Sequence, residues 1–408
     1  MDSDRLKIAM LSAHSCPVGD LGALDTGGMS VYIRELAGEL SRQGHTVDVY
    51  TRVHNASDPI IVELGERARL IHLKAGDEEQ VHKLAVYTLL PEFTCQLENF
   101  RKDNDLEYDI VFSHYWLSGW VGDYLRRWWS VPHAIMFHTL GALKNASGSG
   151  HDASELRIVT ERDVIHTCQR IIVATEREKD EIGEYYGAPR DNIGVVPCGV
   201  NMELFQPVDK SAARRKLGVN DETILLFVGR IDPVKGVDRL LKAVPNVRSG
   251  KKVRLLVIGG DDTSRHETDK LKQLAAELGI TDAVDFRGMV KQEELPDYYS
   301  AADVCVLPSY YESFGLVALE SLACGTPVVA SDVGDLKNII VPGKTGYVMD
   351  DNSPESLAEG ISRTLAAPGL ETPASIRSSV QSFSWDSIAG GIVGELRYVL
   401  EKQQELIG

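Results

Sequence analysis

Four side chains could together hold a phosphorylated sugar compound: Arg230 and Lys235 in GRIDPVKG, and Glu312 and Glu320 in ESFGLVALE. The two cations follow an apolar run, TILLFVG. Phosphate or diphosphate oxygens need positive charge and N–H donors converging on one spot, which this pair could begin to supply. Taken alone, Arg230 and Lys235 read first as solvated charges at a strand end. The segment SYYESFGLVALESLACGTPVVAS is more specific. Glu312, Ser313 and Phe314 lead into a turn at Gly315, and a helix is predicted to begin near Gly315 or Leu316. Its free N–H groups and positive dipole end would suit phosphate oxygens. Glu320, one turn inside, could accept hydrogen bonds from ribose hydroxyls, and Glu312 in the loop could meet a sugar. A solvent-facing Glu320 is the plain alternative. Its neighbours Leu316, Val317, Ala318, Leu319 and Leu322 instead predict a buried helix, where a carboxylate needs a partner.

A third candidate is LDTGGMSVYIREL, in which Gly27 and Gly28 directly precede a helix. Two glycines let a ligand approach the backbone and leave a helix N-terminus uncovered. The pair lacks both GxGxxG spacing and a GK[ST] ending, so by itself it reads first as a simple turn.

These residues need rigid elements behind them. LKIAMLSAH (Leu6 to His14) predicts a first strand, followed by a loop and an amphipathic helix from Ser30 to Gln43, which ends at Gly44. HTVDVYTR, RLIHLK, YDIVFSHY, HAIMFHT and RIIVATE predict further short strands, with helical stretches between several of them. The pattern is interrupted at NIGVVPCGVNMELFQP and restarts with TILLFVGR, VRLLVIGG, AVDFRG, ADVCVLPS and TPVVASD. The fold class is therefore α/β: two doubly wound, mostly parallel domains, expected to face one another across a cleft and to bind ligands at strand C-termini. The first is predicted over residues 1–200 and the second over 201–383. A helical tail, 384–408, is expected to pack back on the first. The small polar stretch Asn145 to Glu155 reads as a surface loop, either a connector or a lid.

Bulk composition narrows the chemistry. With 408 residues, 43% hydrophobic and 25% charged, the chain has the composition of a soluble protein large enough for two cores. A net charge of −17, split −10 and −7 between residues 1–200 and the remainder, argues against nucleic acid and against a basic membrane-docking face. No run approaches the ~20 apolar residues of a membrane span. The start, MDSDRLKIAMLSAHS, does not read as a signal peptide, so a cytoplasmic location is expected. The six cysteines are scattered without a CxxC pair, and no His cluster has metal-ligand spacing; reduced packing residues and no metal are expected.

With these residues in view, the chain resembles the retaining glycosyltransferases of family 4, which have the two-domain GT-B fold of Rossmann-like halves. The GG loop, the HT after HAIMF, GRIDPVKG and the E-x7-E segment carry the likeness over nearly the whole length. The resemblance implies a hexosyl transfer from a nucleotide-sugar, a UDP-sugar by family habit, used as a co-substrate with no cofactor or metal in the chemistry. It implies that Arg230 and Lys235 clamp the pyrophosphate, Glu320 binds ribose, and Glu312 contacts the donor sugar. Gly28 would present backbone to the phosphates, and the strand end with Met289 and Val290 would hold the base. His138 would lie beside the reacting centre. Among family members the inositol-phosphate glycosyltransferases are most similar, with sucrose-phosphate synthases next, on DTGGMSVY, SHYWLSGWVG and FHTLGALKN. By that likeness Lys83, Tyr115, Thr139 and Arg157 would hold the phosphate of a phosphorylated small-molecule acceptor, inositol phosphate or fructose 6-phosphate. A homodimer is compatible with it. The sequence departs from this subgroup at Ser30, where an Asn is usual, and at Asp335 in SDVGDLKN, where a Gly is usual.

Three other functions fit the same fold. A lipid or polysaccharide acceptor would make Arg126, Arg127, Trp128 and Trp129 a membrane-touching patch. A sugar-nucleotide epimerase and a non-catalytic sensor of nucleotide-sugars share the architecture, which alone does not choose between them.

Overall fold

Strands form where short β-branched runs can be buried on both faces, which is the condition of a parallel sheet covered by helices. The computed structural model describes residues 5–19, 27–77, 81–146, 153–260, 264–351, 353–366 and 371–407. They divide into two compact units. One holds the described chain up to Pro197 and from Trp385 onward; the other is Cys198–Ser384.

The first unit contains, among the described residues, eight strands: β1 (Lys7–Leu11), β2 (Thr46–Arg52), β3 (Ile61–Gly65), β4 (Ala68–Leu73), β5 (Ile110–His114), β6 (His133–Met136), β7 (Arg170–Val173) and β8 (Ile193–Val195). Their order is β3-β4-β2-β1-β5-β6-β7-β8. All neighbours are parallel except β3, which runs antiparallel on the edge beside β4. β1 lies between β2 and β5, so successive connections leave it in opposite directions, and the carboxyl ends of β1 and β5 flank the switch point.

The second unit has β9 (Thr223–Val228), β10 (Val253–Ile258), β11 (Val284–Gly288), β12 (Val304–Leu307), β13 (Val328–Ser331) and β14 (Gly346–Met349), in the order β11-β10-β9-β12-β13-β14. This sheet is parallel throughout. Its switch point falls between β9 and β12, whose carboxyl ends carry Arg230 and Lys235 on one side and Glu312 on the other.

Three short elements depart from the sequence expectation. β3, β8 and β14 are edge strands of five, three and four residues, and the short runs that form them give little alternation to read. The first strand stops at Leu11, because Ser12 turns the chain by donating from its hydroxyl to the Ser15 carbonyl at 2.6 Å. The amphipathic helix is Gly28–Arg42, burying Tyr32, Ile33, Leu36, Ala37 and Leu40 at helical spacing. The tail is one helix, Trp385–Ile407, docked on the first unit. Trp385 packs edge-on against Tyr32 with ring centroids 5.2 Å apart, and Arg170 pairs with Glu395 while lying over Tyr398. Among the described residues no helix is long and apolar enough to cross a membrane.

Trp385 is 4% exposed and anchors the start of this helix. Trp385→Ala is expected to cost about 3 to 5 kcal/mol in urea unfolding, as buried aromatic truncations do. A loss under about 1 kcal/mol would mean the helix is held elsewhere.

Candidate active site

In the second unit the loops after β9 and β12 are stitched together by backbone geometry. Pro233–Lys235 forms a single 3-10 turn capped by Asp232, whose carboxylate accepts from the Val234 N–H at 3.0 Å. Gly236 follows at φ +67, and a Cβ there would lie 2.1 Å from the Pro308 carbonyl oxygen. Only glycine lets the two loops approach this closely. The Tyr310 N–H donates to the Val234 carbonyl at 2.8 Å, and Arg239 donates to the Pro308 carbonyl at 2.6 Å with its guanidinium 3.5 Å over the Tyr310 ring.

The consequence is an ion pair of Lys235 Nζ with Glu312 Oε2 at 2.7 Å, both side chains about one-fifth exposed. Arg230 is exposed and makes no ion pair with a described residue. Lys235 is held in place by its pair, and Arg230 adds a second cation two residues before the capping Asp232. The helix Leu316–Ala323 begins just beyond, with Gly315 at φ +119 in the cap position and no side-chain hydrogen bond capping it. A Cβ at Gly315 would clash with Leu336 at 2.6 Å, so the turn needs glycine. Phe314 is buried against Phe383, which fixes the loop carrying Glu312 and Ser313. Gly334 and Asp335 support it from behind, the Asp335 N–H donating to the Phe314 carbonyl at 3.1 Å.

Glu320 is half-buried, and its partner is Tyr299, whose hydroxyl donates to Oε2 at 2.6 Å. Tyr299 is fully buried, and burial raises its pKa well above 10, so it remains a proton donor to the carboxylate. Met289 and Val290 follow β11; Met289 is exposed. Gly259 N–H donates to the Gly288 carbonyl at 2.8 Å, and a Cβ on Gly259 would meet the Gly229 oxygen at 1.8 Å, so the ends of β9, β10 and β11 converge without intervening side chains.

The first unit gathers a different set. Gly27 caps the helix Gly28–Arg42 with no side-chain hydrogen bond, and a Cβ added to it would meet no atom of a described residue within 4 Å. Beyond β5, Tyr115 adopts φ +74; beyond β6, His138 adopts φ +61. Left-handed backbone at non-glycine residues costs of order 1–3 kcal/mol and concentrates at functional sites. His138 therefore stands two residues past the end of its strand, not in it.

His114 Nδ1 and His138 Nε2 are 2.9 Å apart, and Tyr32 packs edge-on against His138 at 5.1 Å. Burial lowers the His138 pKa to about 3 and that of His114 well below its ordinary range, so both rings are neutral near pH 7.

Arg157 is 8% exposed and donates from Nη2 to both the carbonyl (2.7 Å) and the hydroxyl (3.1 Å) of Thr139, while its guanidinium lies 4.9 Å over the Tyr115 ring. Arg157, Thr139 and Tyr115 thus meet in one place. Lys83 opens the helix Lys83–Asp103, and its side chain lies outside the described residues. Of the stretch Asn145 to Glu155, residues 147–152 also lie outside them. Its two ends are joined by the Ala153 N–H donating to Asn145 Oδ1 at 2.6 Å.

The suggested membrane patch is mostly engaged within its own unit. Arg126 and Arg127 pair with Asp123, and Trp129 donates to Glu98 at 2.7 Å under Arg101, leaving Trp128 exposed. Among the described residues no group of three or more His, Cys, Asp or Glu side chains gathers as a metal site.

Comparison with known proteins agrees on the class. Residues 26–204 match the family described as Glycosyltransferase Family 4, and residues 209–381 the one described as Glycosyl transferases group 1. A D-inositol 3-phosphate glycosyltransferase of Geodermatophilus obscurus is 39% identical over 397 residues, covering 95% of this chain and 88% of that protein. That of Mycolicibacterium smegmatis is 40% identical over 385 residues, covering 93% and 88%. Among solved structures, a sucrose-phosphate synthase from Thermosynechococcus elongatus superposes with a TM-score of 0.88 at 34% identity, covering 98% of this chain and 100% of that one. An Anabaena protein solved with UDP and glucose shares the fold at 18% identity and a TM-score of 0.75, covering 97% and 100%.

The buried imidazoles make stability depend on pH. Burial places His133 and His138 at about 3, and His114 is also lowered, against an ordinary value of 6.5. Between pH 6.5 and 3 the unfolded chain binds protons at these sites that the folded chain does not, so stability falls as pH falls through that window. The slope is at most about 1.4 kcal/mol per pH unit for each histidine. The melting temperature should drop steadily from pH 6.5 to 4; a profile flat to pH 4 would contradict neutral burial.

Proposed function

The chain belongs to the family 4 glycosyltransferases of GT-B fold, and from that premise we propose that it moves a hexosyl group from a UDP-sugar to a phosphorylated polyol or sugar, with retention at the anomeric carbon. The observation that carries the acceptor half is the meeting of Arg157, Thr139 and Tyr115 beyond β5 and β6. A cation with an adjoining hydroxyl suits a phosphate dianion, and Lys83 would add a second charge. Two groups of similar proteins are named for sugar or polyol phosphates, which supports the same reading.

The donor half uses the second unit. Arg230, Lys235 and the N–H groups at the start of helix Leu316–Ala323 would take the diphosphate, whose charge grows as the glycosidic bond breaks. The Glu312 pairing holds Lys235 in a fixed position beforehand, so little reorganisation accompanies the reaction. Glu312 would also reach sugar hydroxyls, Glu320, fixed by Tyr299, the ribose, and Met289 and Val290 the base. Gly27 and Gly28, at a helix start that has no side-chain cap hydrogen bond, would present backbone to a phosphate, and the neutral His138 would stand beside the transferred sugar. No side chain is assigned as a nucleophile. The departing diphosphate would take the acceptor proton while the new bond forms on the same face. Cytoplasmic action on soluble substrates, without cofactor or metal, completes the proposal.

Ser30 bears on which acceptor is used. It is fully buried, its hydroxyl 2.7 Å from that of Ser15, so it is turned into the protein. A ring other than inositol is therefore a specific alternative, with fructose 6-phosphate the first to try.

A mass-spectrometric screen of nucleotide-sugars against inositol phosphate, fructose 6-phosphate and their unphosphorylated forms should yield product only with a phosphorylated acceptor. Product with unphosphorylated acceptors alone would reject the assignment. In the active combination, Lys235→Ala should lower kcat by about 10² to 10³, the scale of losing one donor to a developing anion. A change under about threefold would remove Lys235 from the diphosphate clamp.

A further inference from the structure

Glu161 lies in the helix Glu155–Thr167 and is fully buried. Both carboxylate oxygens are engaged. Oε1 accepts from Arg157 Nε at 2.6 Å and from the Gly141 N–H at 3.1 Å; Oε2 accepts from the same N–H at 2.9 Å and from the Tyr186 hydroxyl. Tyr186 in turn accepts from the Ala142 N–H at 3.0 Å. One carboxylate thus ties its own helix to the first turn of Gly141–Ala146 and to the last residue of Glu176–Tyr186.

Holding helices together does not call for such a group, because apolar side chains of similar volume commonly do so at no loss of stability. A carboxylate can do what they cannot, which is to orient a guanidinium. Arg157 is gripped on one edge by Glu161 through Nε and on another by Thr139 through Nη2. Its Nη1 makes no hydrogen bond to a described residue. Thr139 accepts from Arg157, so its hydroxyl retains its own proton to donate.

The geometry points to Glu161, with Tyr186 behind it, as the positioning residue of the acceptor-phosphate grip: it holds Arg157 so that the free Nη1 edge and the Thr139 hydroxyl serve one phosphate group. This rests on the proposed phosphorylated acceptor. Two effects oppose each other when the Glu161 charge is removed. Arg157 becomes less neutralised and attracts a dianion more strongly, but a long side chain loses its clamp and its preset direction. Misplacement of a binding group is the larger effect, so the grip should weaken.

The experiment compares the wild-type chain with Glu161→Gln and Tyr186→Phe, using the phosphorylated acceptor found by screening and inorganic phosphate as a competing probe. For Glu161→Gln the acceptor KM and the inhibition constant of phosphate should both rise about tenfold or more, with donor KM and kcat within about twofold. Tyr186→Phe should move the same two constants in the same direction by less. Unchanged or lower acceptor KM, or equal rises in donor and acceptor KM, would overturn the inference. If Glu161→Gln does not fold, Tyr186→Phe decides, and an unchanged acceptor KM overturns it. If the wild type transfers to no phosphorylated acceptor, the function proposed above fails, and direct titration with inorganic phosphate then reads the grip. Weaker binding by the variants supports the inference, and equal binding or none by the wild type overturns it.

Discussion

The pairing of Lys235 with Glu312 depends on two loops meeting at the switch point of the second sheet, and most of that unit's local chemistry follows from the meeting. Gly236 takes a left-handed conformation at a point where a side chain would also strike the Pro308 carbonyl, and Arg239 bonds to that same carbonyl. Once the loops are locked, an ammonium, a carboxylate and a helix N-terminus without a side-chain cap lie along one edge, with Arg230 contributing a cation that forms no ion pair with a described residue. Under the proposed function, a fixed array of this kind would give the diphosphate's charge a place that exists before the bond breaks.

The first unit solves a different problem with the same architecture. Strand ends supply Tyr115 and His138 in strained left-handed conformations, which are maintained because the surroundings determine them fully. His138 is fixed by a second buried imidazole and an aromatic ring, and both histidines stay neutral; a neutral ring can contact sugar hydroxyls without repelling a cation nearby. Arg157 keeps its charge despite burial, since the Glu161 carboxylate pairs with its Nε and Thr139 accepts from its Nη2.

Much of this was legible from residue order, for identifiable reasons. Strands such as VRLLVIGG and ADVCVLPS announced themselves because burial on both faces leaves a continuous apolar run ending at glycine or proline. The spacing from Glu312 to Glu320 placed one carboxylate before a helix and one inside it, as found. The short edge strands β3, β8 and β14 carried too few residues to show a pattern. The partners of the charged groups were hidden for another reason. Tyr299 reaches Glu320 from a separate helix, and His114 reaches His138 across neighbouring strands, so neither contact leaves a local signature. Arg157 and Glu161 do stand four residues apart, the spacing of an ordinary surface pair; only the fold shows that both are buried and that Gly141 and Tyr186 close around them.

Transfer of a sugar between a nucleotide and a phosphorylated acceptor has one direct signature, the coupling of diphosphate release to acceptor phosphate. Proton and phosphorus NMR of one reaction mixture would follow nucleoside diphosphate and glycosylated phosphate together. The predicted result is equal rates of appearance, dependence on a phosphorylated acceptor, and a product with the anomeric configuration of the donor. Diphosphate released equally fast without that acceptor, or a product of inverted configuration, would contradict it.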